Sequence, residues 1–258
     1  MTLDQKEVSK LLSLYERERS LKKVSKLAKH SINTVDKYVS KQFNVNRQSR
    51  IRKLHSDNEV LIGAFIGLWA GDGSRFYNGG WTVQVHTNLR DTSLNNFIQG
   101  LLATLFDKTA KLFCQEGNQA RFRFESKFIY HFIEQYLSFQ KNKSNTVCLK
   151  NNISSHSMHF LKGFLVGLML SDGCFKNSFC FVSTSKNLAR NVLGMLDLFG
   201  FLPLIRKQDR AKYGWRDLYF VSLKKEDTSA ILRIMDSTLI EAGWSHGFLK
   251  LKYGPGAI

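Results

Sequence analysis

Two long apolar segments dominate the hydrophobic pattern, and each ends in an Asp-Gly pair. They read FIGLWAGDG at 65–73 and LVGLMLSDG at 165–173, so the second repeats the first 100 residues later. Glycine inside a helix costs about 1 kcal/mol relative to alanine, and its recurrence at matched places needs a packing reason. We predict two helices that pack against each other through small residues four apart, namely Gly67, Gly71, Gly167 and Ser171.

Shorter segments follow each apolar helix in the same order. Alternating apolar and polar residues predict strands, and apolar residues at helical spacing predict amphipathic helices. The first half has strands at 81–87 and 120–125 with helices at 91–106 and 126–139. The second half repeats this order after 158. The predicted fold class is α+β, with two pseudo-symmetric αββαββα units packed through their glycine-bearing helices and a small all-α domain before them.

The predicted domains are 1–56, 57–150 and 151–258, an all-α extension followed by the two repeated units. The Lys- and Asn-rich segment 140–157 is the expected tether between the units. The first boundary follows a change in composition. Residues 1–56 lack glycine and carry 14 Lys and Arg against 5 Asp and Glu, a net charge of +9.

Within this extension, residues 20–39 predict two short helices, and Ser20 is suited to cap the first of them. The residues expected to be buried are Leu21, Val24, Leu27 and Ala28 in one helix and Ile32, Val35, Tyr38 and Val39 in the other. The pair resembles the helix-turn-helix of DNA-binding proteins, in which Asn33, Thr34 and Lys37 would face the groove. The alternative is a basic helical hairpin that only packs.

The overall charge indicates which class of molecule the protein binds. The 258 residues carry a net charge of +17, which favours a polyanion such as nucleic acid, with a merely basic surface as the alternative. The N-terminus is polar and no apolar run reaches the roughly 18 residues of a membrane span. We therefore expect a soluble, intracellular protein without a membrane partner, in the cytoplasm, the nucleoid or an organelle matrix. The four cysteines form no C-x-x-C pair and are interpreted as small core residues of a reduced protein.

The aspartates that end the apolar segments, Asp72 and Asp172, are harder to explain by packing alone. The negative end of a helix disfavours an anion by about 0.3 to 1 kcal/mol, and close helix packing brings the two carboxylates together. A divalent cation between them would turn this repulsion into attraction, and Mg²⁺ suits hard oxygen ligands. The glycine after each aspartate is expected at the usual C′ position of a helix end.

The paired segments resemble the two signature helices of the LAGLIDADG homing endonucleases in their single-chain form, over roughly residues 58–252. The resemblance implies two units whose saddle-shaped sheets straddle double-stranded DNA, with Asp72 and Asp172 as catalytic and metal-binding residues. The earlier aspartate of the motif is Ala70 and Leu170 here, at a position that is not the essential acid.

The reaction that this resemblance implies is hydrolysis of one phosphodiester in each strand of a long, non-palindromic site by an intron-encoded monomer. The implied cofactor is Mg²⁺, with Mn²⁺ as a substitute and Ca²⁺ supporting binding without cleavage. The family also places a lysine from each unit near the scissile phosphates. Lys-x-Lys follows a phenylalanine in both SFQKNKS (138–144) and GFLKLKY (247–253). We favour Lys143 and Lys252 as catalytic residues that stabilise the developing phosphate charge, with ordinary surface lysines as the alternative.

Recognition is expected from the polar faces of the two sheets in the major groove. The candidate contacts are outward-facing residues: Arg75, Gln84, His86, Arg121, Arg123, Lys176, Arg206, Lys207 and Arg216. Two other functions of the same fold stay open. One is an RNA maturase that binds its own intron RNA, and the other is a non-cleaving DNA-binding regulator, against which the presence of both aspartates argues.

Overall fold

The computed structural model describes residues 3–18, 20–43, 53–78, 80–114, 117–175, 177–244 and 247–248. By its internal contacts the chain divides into two units, residues 1–50 and 51–258. The described part of the first unit is helical, and the described strands all lie in the second. Among the described helices, none is both long and apolar enough to cross a membrane.

The N-terminal unit has three described helices around a small core. They are α1 (Gln5–Glu18), α2 (Leu21–Ala28) and α3 (Ile32–Phe43). Ser20 caps α2 by accepting a hydrogen bond from Lys23 N, at the position where the sequence predicts a cap. The buried core joins one residue of α1 to the α2–α3 pair and consists of Leu11, Val24, Val35 and Val39. The sequence analysis predicted only the α2–α3 pair and missed the contribution of α1.

Two residues that were predicted to be buried in this core, Leu27 and Ile32, are exposed by 54% and 47%. They flank the turn between α2 and α3, in which Lys29 adopts a left-handed conformation with a φ of 57°. Only one narrow stripe of each short helix is buried, so apolar residues beside the turn stay in contact with solvent.

The second unit contains two copies of the predicted repeat. The first copy consists of α4 (Glu59–Asp72), β1 (Gly73–Tyr77), β2 (Trp81–Asn88), α5 (Thr92–Phe106), β3 (Lys111–Cys114), β4 (Gln119–Glu125) and α6 (Lys127–Tyr136). A connecting segment follows, with β5 (Leu137–Ser138), α7 (Lys143–Thr146) and β6 (Cys148–Leu149). The second copy consists of α8 (Met158–Asp172), β7 (Gly173–Cys174), β8 (Cys180–Ser183), α9 (Lys186–Leu198), β9 (Leu204–Gln208), β10 (Leu218–Ser222) and α10 (Lys225–Glu241). The predicted α+β fold class and its repeat of αββαββα are confirmed.

Each copy forms a four-stranded antiparallel sheet with the same strand order. The orders are β1-β2-β4-β3 and β7-β8-β10-β9. Alternation along a strand gives every sheet two faces. In the first sheet, Val83 and Val85 of β2 pair with Phe124 and Phe122 of β4 on the buried face. The opposite face, which we call the open face, carries the polar residues between them.

Helices α4 and α8 form the centre of the second unit. Residues 60–70 of α4 are all buried, and α8 is almost as completely covered. A helix that is apolar on all sides is stable only inside a core, which explains the continuous hydrophobic runs. Asn58 caps α4 by accepting from Val60 N and Leu61 N, and Ser157 caps α8 by accepting from Phe160 N.

The segment between α6 and α8, which includes the tether predicted at 140–157, packs against α9. Strand β5 pairs with β6 in a short ladder. Leu149 N donates to Asn191 Oδ1 at 2.9 Å, and Ser185 Oγ, which caps α9, donates to the carbonyl oxygen of Val147 at 2.6 Å. These bonds fix the segment that carries Lys143.

The interpretation of the cysteines as core residues is wrong. Cys114 and Cys174 are exposed, Cys148 and Cys180 are half-buried, and all four are free thiols. Each occupies the first or last position of a short strand.

Candidate active site at the ends of the paired helices

Glycines set the distance between α4 and α8. A methyl group added at Gly67 would overlap the carbonyl oxygen of Phe164, and one added at Gly167 would overlap that of Ala64. Such contacts between backbones leave no room for any side chain. The small residues predicted at these two positions therefore lie where the helices approach most closely.

The same interface uses Gly63 and Gly163, one turn earlier, which the sequence analysis missed. A methyl group at Gly63 would overlap the carbonyl oxygen of Phe160, and one at Gly163 would overlap that of Val60. The signal was present, because the four-residue spacing of the glycines extends one turn further back in both helices.

The last contact of the interface joins Gly71 to a side chain. A Cβ on Gly71 would overlap Ser171 Oγ and would lie 2.9 Å from Asp172 Oδ2. Ser171 Oγ donates to the carbonyl oxygen of Leu168 at 2.9 Å, which holds the serine within its own helix. The Asp172 carboxylate therefore lies beside the backbone of α4.

Asp72 and Asp172 are the final residues of α4 and α8. Asp72 is half-buried and Asp172 is exposed. Because Asp172 lies next to Gly71, which immediately precedes Asp72, both carboxylates occupy one end of the helix pair. The negative ends of two helix dipoles and two carboxylates therefore meet in one small region.

The glycines that follow the aspartates do not adopt the conformation predicted for a C′ residue. Gly73 and Gly173 have φ values of −85° and −83°, so both are extended and begin strands. Glycine is needed there for space. A Cβ on Gly73 would overlap the carbonyl oxygen of Trp69, and one on Gly173 would lie 2.5 Å from Met169 Cε.

Lys143, the first residue of α7, reaches the end of α4 from the connecting segment. Its Nζ donates to the carbonyl oxygens of Trp69, Ala70 and Gly71, each at 2.9 Å. The ammonium also lies 4.9 Å from the centre of the Trp69 ring. The Trp69 carbonyl also accepts from Gly73 N, whereas carbonyls at the very end of a helix lack a helical partner, so the ammonium supplies a donor to this turn and opposes the negative helix end.

Burial of Lys143 lowers the pKa of its ammonium to about 8, although the charges of Asp172 and Asp72 oppose this shift. The opposition shows that both carboxylates are within electrostatic range of the same amine. Lys141, the other lysine of the pair, is exposed. The structure thus separates two lysines that the sequence left as alternatives for the catalytic position. Lys252 lies outside the described residues.

His86 of β2 adds a second titratable group beside the carboxylates. Its Nε2 lies 3.0 Å from Ser74 Oγ. Burial lowers the pKa of His86; the charge of Asp72 opposes this shift, whereas Arg121 and Lys143 add to it. The sequence analysis treated His86 only as a DNA contact, because nothing in a single strand shows that β2 passes close to the end of α4.

The family model described as a LAGLIDADG-like domain matches residues 159–242. No curated protein matches the chain. Solved structures that resemble it include a mesophilic variant of the homing endonuclease I-DmoI, with 18% identity over 70% of this chain and 93% of that chain at a TM-score of 0.56. I-DmoI in complex with DNA and Ca has 17% identity over 73% and 100% of the two chains at a TM-score of 0.53, and its complex with DNA and Mn has 17% identity over 69% and 97% at 0.52.

These structural matches cover 69% to 73% of this chain, and the family model covers most of the second repeated unit. The fold of this chain is the LAGLIDADG fold. The predicted resemblance to the LAGLIDADG homing endonucleases is thereby confirmed. We refer below to α4 and α8 as the LAGLIDADG helices and to the two sheets as the LAGLIDADG sheets.

Arg75 does not lie on the open face of the first LAGLIDADG sheet, and its prediction as a DNA contact is wrong. It pairs with Val83 and shares the buried side of the sheet. Its side chain is 12% exposed, donates to the carbonyl oxygen of Tyr130 and lies 2.5 Å from Glu134 Oε1. The guanidinium also lies 4.0 Å from the centre of the Tyr130 ring, so Arg75 joins the sheet to α6.

The other candidates of the first sheet do share its open face. Gln84 pairs with Arg123 across β2 and β4, and His86 pairs with Arg121. Gln84 is only 2% exposed, and its Nε2 has no hydrogen-bond partner among the described residues, as is also true of Arg121 Nε. Arg123 lies 3.3 Å from Glu125 with a third of its side chain exposed. Gln84 is therefore too deeply covered to reach DNA without movement of its neighbours.

The open face of the second LAGLIDADG sheet is less polar. Strand alternation places on it Cys174, Cys180, Val182, Arg206 and Phe220. Lys207 alternates to the opposite side of β9, where its Nζ lies 2.8 Å from Asp217 Oδ2. Arg216 is exposed in the loop between β9 and β10, and Lys176 lies outside the described residues. Of the candidates in this half, Arg206 lies on the open face as predicted, whereas Arg216 lies in a loop and not on a strand.

In the N-terminal unit, the three predicted groove residues differ in accessibility. Asn33 and Lys37 are exposed and lie one turn apart on α3. Thr34 is half-buried, and its Oγ1 lies 2.8 Å from Ser31 Oγ at the start of the helix. Thr34 therefore helps to begin α3, whereas Asn33 and Lys37 form an exposed stripe.

Proposed function

We propose that this protein is a site-specific endonuclease that hydrolyses both strands of double-stranded DNA with the help of a divalent cation. The observation that carries the proposal is the meeting of Asp72, Asp172 and the Lys143 ammonium at one end of two helices held together by glycines. A site with two acids and one buried cation, on a chain with a net charge of +17, suits phosphodiester chemistry on a polyanion.

The two carboxylates fit a hard divalent cation. The described residues contain no group of three or more His, Cys, Asp and Glu that could hold a metal by themselves. Mg²⁺ does not require one, because it is commonly bound by one or two carboxylates together with water and substrate phosphate. We propose Mg²⁺ as the cofactor, Mn²⁺ as a substitute and Ca²⁺ as an ion that supports binding without cleavage. The I-DmoI complexes with DNA and Mn or Ca support this choice.

Each residue of the site has a role that follows from its placement. Asp72 and Asp172 would hold the cation, which supplies charge stabilisation and lowers the pKa of an attacking water. Lys143 is fixed by three carbonyl oxygens and would stabilise the charge that develops on the phosphate. The His86–Ser74 pair lies beside Asp72, where its polar atoms can orient solvent.

We also propose that the target is non-palindromic and that the chain acts as a monomer. Both acids are on one chain, and the LAGLIDADG helices already bury each other. The two open faces differ, since the first presents His86, Arg121 and Arg123 where the second presents Val182, Arg206 and Phe220. Two unlike surfaces read unlike half-sites.

Selection for cleaved duplexes from a randomised DNA pool tests the proposed function. We expect double-strand cuts at one family of related, asymmetric sequences in the presence of Mg²⁺. The variant with both Asp72→Asn and Asp172→Asn, purified in parallel, controls for contaminating nucleases. Cutting at unrelated sequences, or equal cutting by the double variant, would contradict the proposal.

One observation favours the RNA maturase as a second candidate function. The β9–β10 loop presents Tyr213 and Trp215, each 60% exposed, with Arg210 4.3 Å from the centre of the Trp215 ring. Exposed aromatic rings beside cations are typical of surfaces that stack on unpaired bases. Metal-independent binding of the chain's own intron RNA that is lost in Trp215→Ala would support this function. Retention of that binding in Trp215→Ala would remove the observation that favours this function, and no binding by the unmodified chain would leave only the endonuclease.

The lowered pKa of Lys143 predicts the pH dependence of cleavage. The ammonium is charged below its pKa. Its stabilisation of the phosphate charge is therefore present at low pH and is lost as the pH rises through about 8. We expect the cleavage rate at subsaturating protein, which reports the free enzyme, to fall above this pH. Lys143→Arg should move the fall to higher pH because arginine stays charged, whereas Lys141→Arg should not. If the cleavage rate of Lys143→Arg falls at the same pH as that of the unmodified chain, another group is responsible for the fall.

The N-terminal unit is predicted to add affinity more than chemistry. Removing residues 1–56 removes a net charge of +9, so DNA binding should weaken and its dependence on salt should become shallower. Within the full chain, Lys37→Ala should reduce the salt slope by about one unit, as expected for one phosphate contact, while Lys10→Ala on α1 should not. Cleavage at low salt should survive truncation. An unchanged salt slope after truncation would show that the unit does not contact DNA.

A further inference from the structure

The second LAGLIDADG sheet begins with two cysteines that face each other. β7 runs antiparallel to β8, and Cys174 lies directly opposite Cys180 in the ladder. Directly opposed residues of neighbouring strands point to the same face. Both thiols are free, and Cys174 is exposed. The other two cysteines, Cys114 and Cys148, have no cysteine opposite them in their strands.

The backbone spacing of such a pair is compatible with a disulfide. Opposed Cα atoms in an antiparallel ladder are about 4.5 or 5.5 Å apart, depending on the hydrogen-bonding pattern. Disulfides span Cα separations of about 4.4 to 6.8 Å. Opposed Cβ atoms are about 4.5 to 5.5 Å apart, whereas a disulfide needs about 3.5 to 4.5 Å. The strands must therefore draw together by about 1 Å.

The hairpin between the two cysteines is held closed by aromatic packing. Phe175 lies next to Cys174, and its ring centre is 5.6 Å from that of Phe179, which precedes Cys180. The ring of Phe248 covers the same side at 5.5 Å from Phe175. Burial raises the pKa of Cys180, and the neighbouring Cys174 raises it further. Cys174 is therefore the accessible thiol of the pair and Cys180 is the sheltered one.

The pair adjoins the candidate active site. Only Gly173 separates Cys174 from Asp172, so β7 begins directly after the residue that ends α8. A shift of Cys174 toward β8 therefore displaces the strand that leaves Asp172. A displacement of about 1 Å in a catalytic group can cost on the order of a hundredfold in rate.

We propose that Cys174 and Cys180 are a thiol modification site that forms an intramolecular disulfide by exchange with a small-molecule disulfide, and that this bond reversibly suppresses cleavage. The effect on cleavage rests on the proposed endonuclease function, whereas the formation of the bond does not.

The exchange takes place in two steps. The Cys174 thiolate attacks one sulfur of the small disulfide, breaks its S–S bond and expels one small thiolate. The Cys180 thiolate then attacks the Cys174 sulfur and expels the second small thiolate. The protein has lost two electrons and two protons, and the small disulfide has become two thiols.

The test treats the full-length protein with oxidised glutathione in the absence of DNA. We expect the thiols of Cys174 and Cys180 to be lost, and peptide mapping to show a Cys174–Cys180 link whose peptides together weigh two hydrogen atoms less than the free thiols. Cys114→Ser should still form the link, and both Cys174→Ser and Cys180→Ser should not. Persistence of both thiols, or of glutathione attached to Cys174, would overturn the proposal.

Cleavage and DNA binding are then measured before and after oxidation. We expect oxidation to lower the cleavage rate on the order of a hundredfold without a matching loss of binding, reduction to restore the rate, and Cys174→Ser to cut equally well in both conditions. A linked protein that still cuts at the original rate would overturn the suppression. If the reduced protein fails to cut any DNA, the proposed endonuclease function fails, while the peptide mapping still decides the disulfide.

Discussion

Asp172→Asn is expected to abolish cleavage of both DNA strands while leaving DNA binding intact. The substitution keeps the side-chain size but removes an anion that would hold the cation, and a loss of about 4 kcal/mol of transition-state stabilisation is roughly a thousandfold in rate. Asp72→Asn should behave in the same way if one cation is shared by both carboxylates. Loss of a single strand cut in each variant would instead favour two independent sites. Rates are compared by single-turnover cleavage, and affinity is measured in Ca²⁺.

The matched control for this experiment is Asp197→Asn. Asp197 is an exposed aspartate close to the C-terminal end of α9, so its replacement also removes a negative charge near a helix end. It should change neither cleavage nor binding. Full double-strand cutting by the protein that carries both Asp72→Asn and Asp172→Asn would refute the assignment of the acids.

The second large effect is expected from Gly67→Ala, which should destabilise the folded protein by about 2 kcal/mol or more. The added methyl group would overlap the carbonyl oxygen of Phe164, and a rigid helix backbone cannot rotate away as a side chain can. Overpacking of a core costs about 1 to 3 kcal/mol and occasionally more. Alanine stabilises a helix by about 1 kcal/mol relative to glycine. The measured loss of stability is therefore the cost of the overlap minus this gain.

Gly71→Ala provides the comparison for Gly67→Ala. The nearest atom to its added methyl group is Ser171 Oγ, which lies on a side chain, and Ser171→Ala would remove it. We expect Gly71→Ala to cost less than Gly67→Ala and the double variant with Ser171→Ala to recover part of the loss. Urea unfolding of the three proteins provides the free energies. Equal stability of Gly67→Ala and the unmodified chain would show that the helices do not meet as closely as described.

Much of the candidate site could be predicted from the sequence because its motif occurs twice in the chain. Two matched segments, each with glycines four apart and a final Asp-Gly, indicated a helix pair with its carboxylates at one end. The helix cap at Ser20 was also predictable, since Ser20 caps α2 by accepting a hydrogen bond from Lys23 N. These features depend on residues close together in the chain.

Features that depend on strand register were not predictable in the same way. Alternation within β1 cannot show which of its faces is buried, because the pairing of Arg75 with Val83 decides it. The same limit applies to the cysteines. Composition indicated core residues, whereas the register of β7 and β8 places Cys174 opposite Cys180 at the edge of the sheet.

The sequence by itself determined the αββαββα repeat, the glycine interface and the position of the two acids, because periodicity and local spacing encode them. Only the tertiary structure decided which lysine joins the acids. Lys141 and Lys143 belong to one Lys-x-Lys pair, and it is the start of α7 that points Lys143 at the carbonyl oxygens of Trp69, Ala70 and Gly71. Those carbonyls lie more than 70 residues away in the chain. A contact between residues so far apart in the sequence forms only when the connecting segment packs, so no local sequence pattern could predict it.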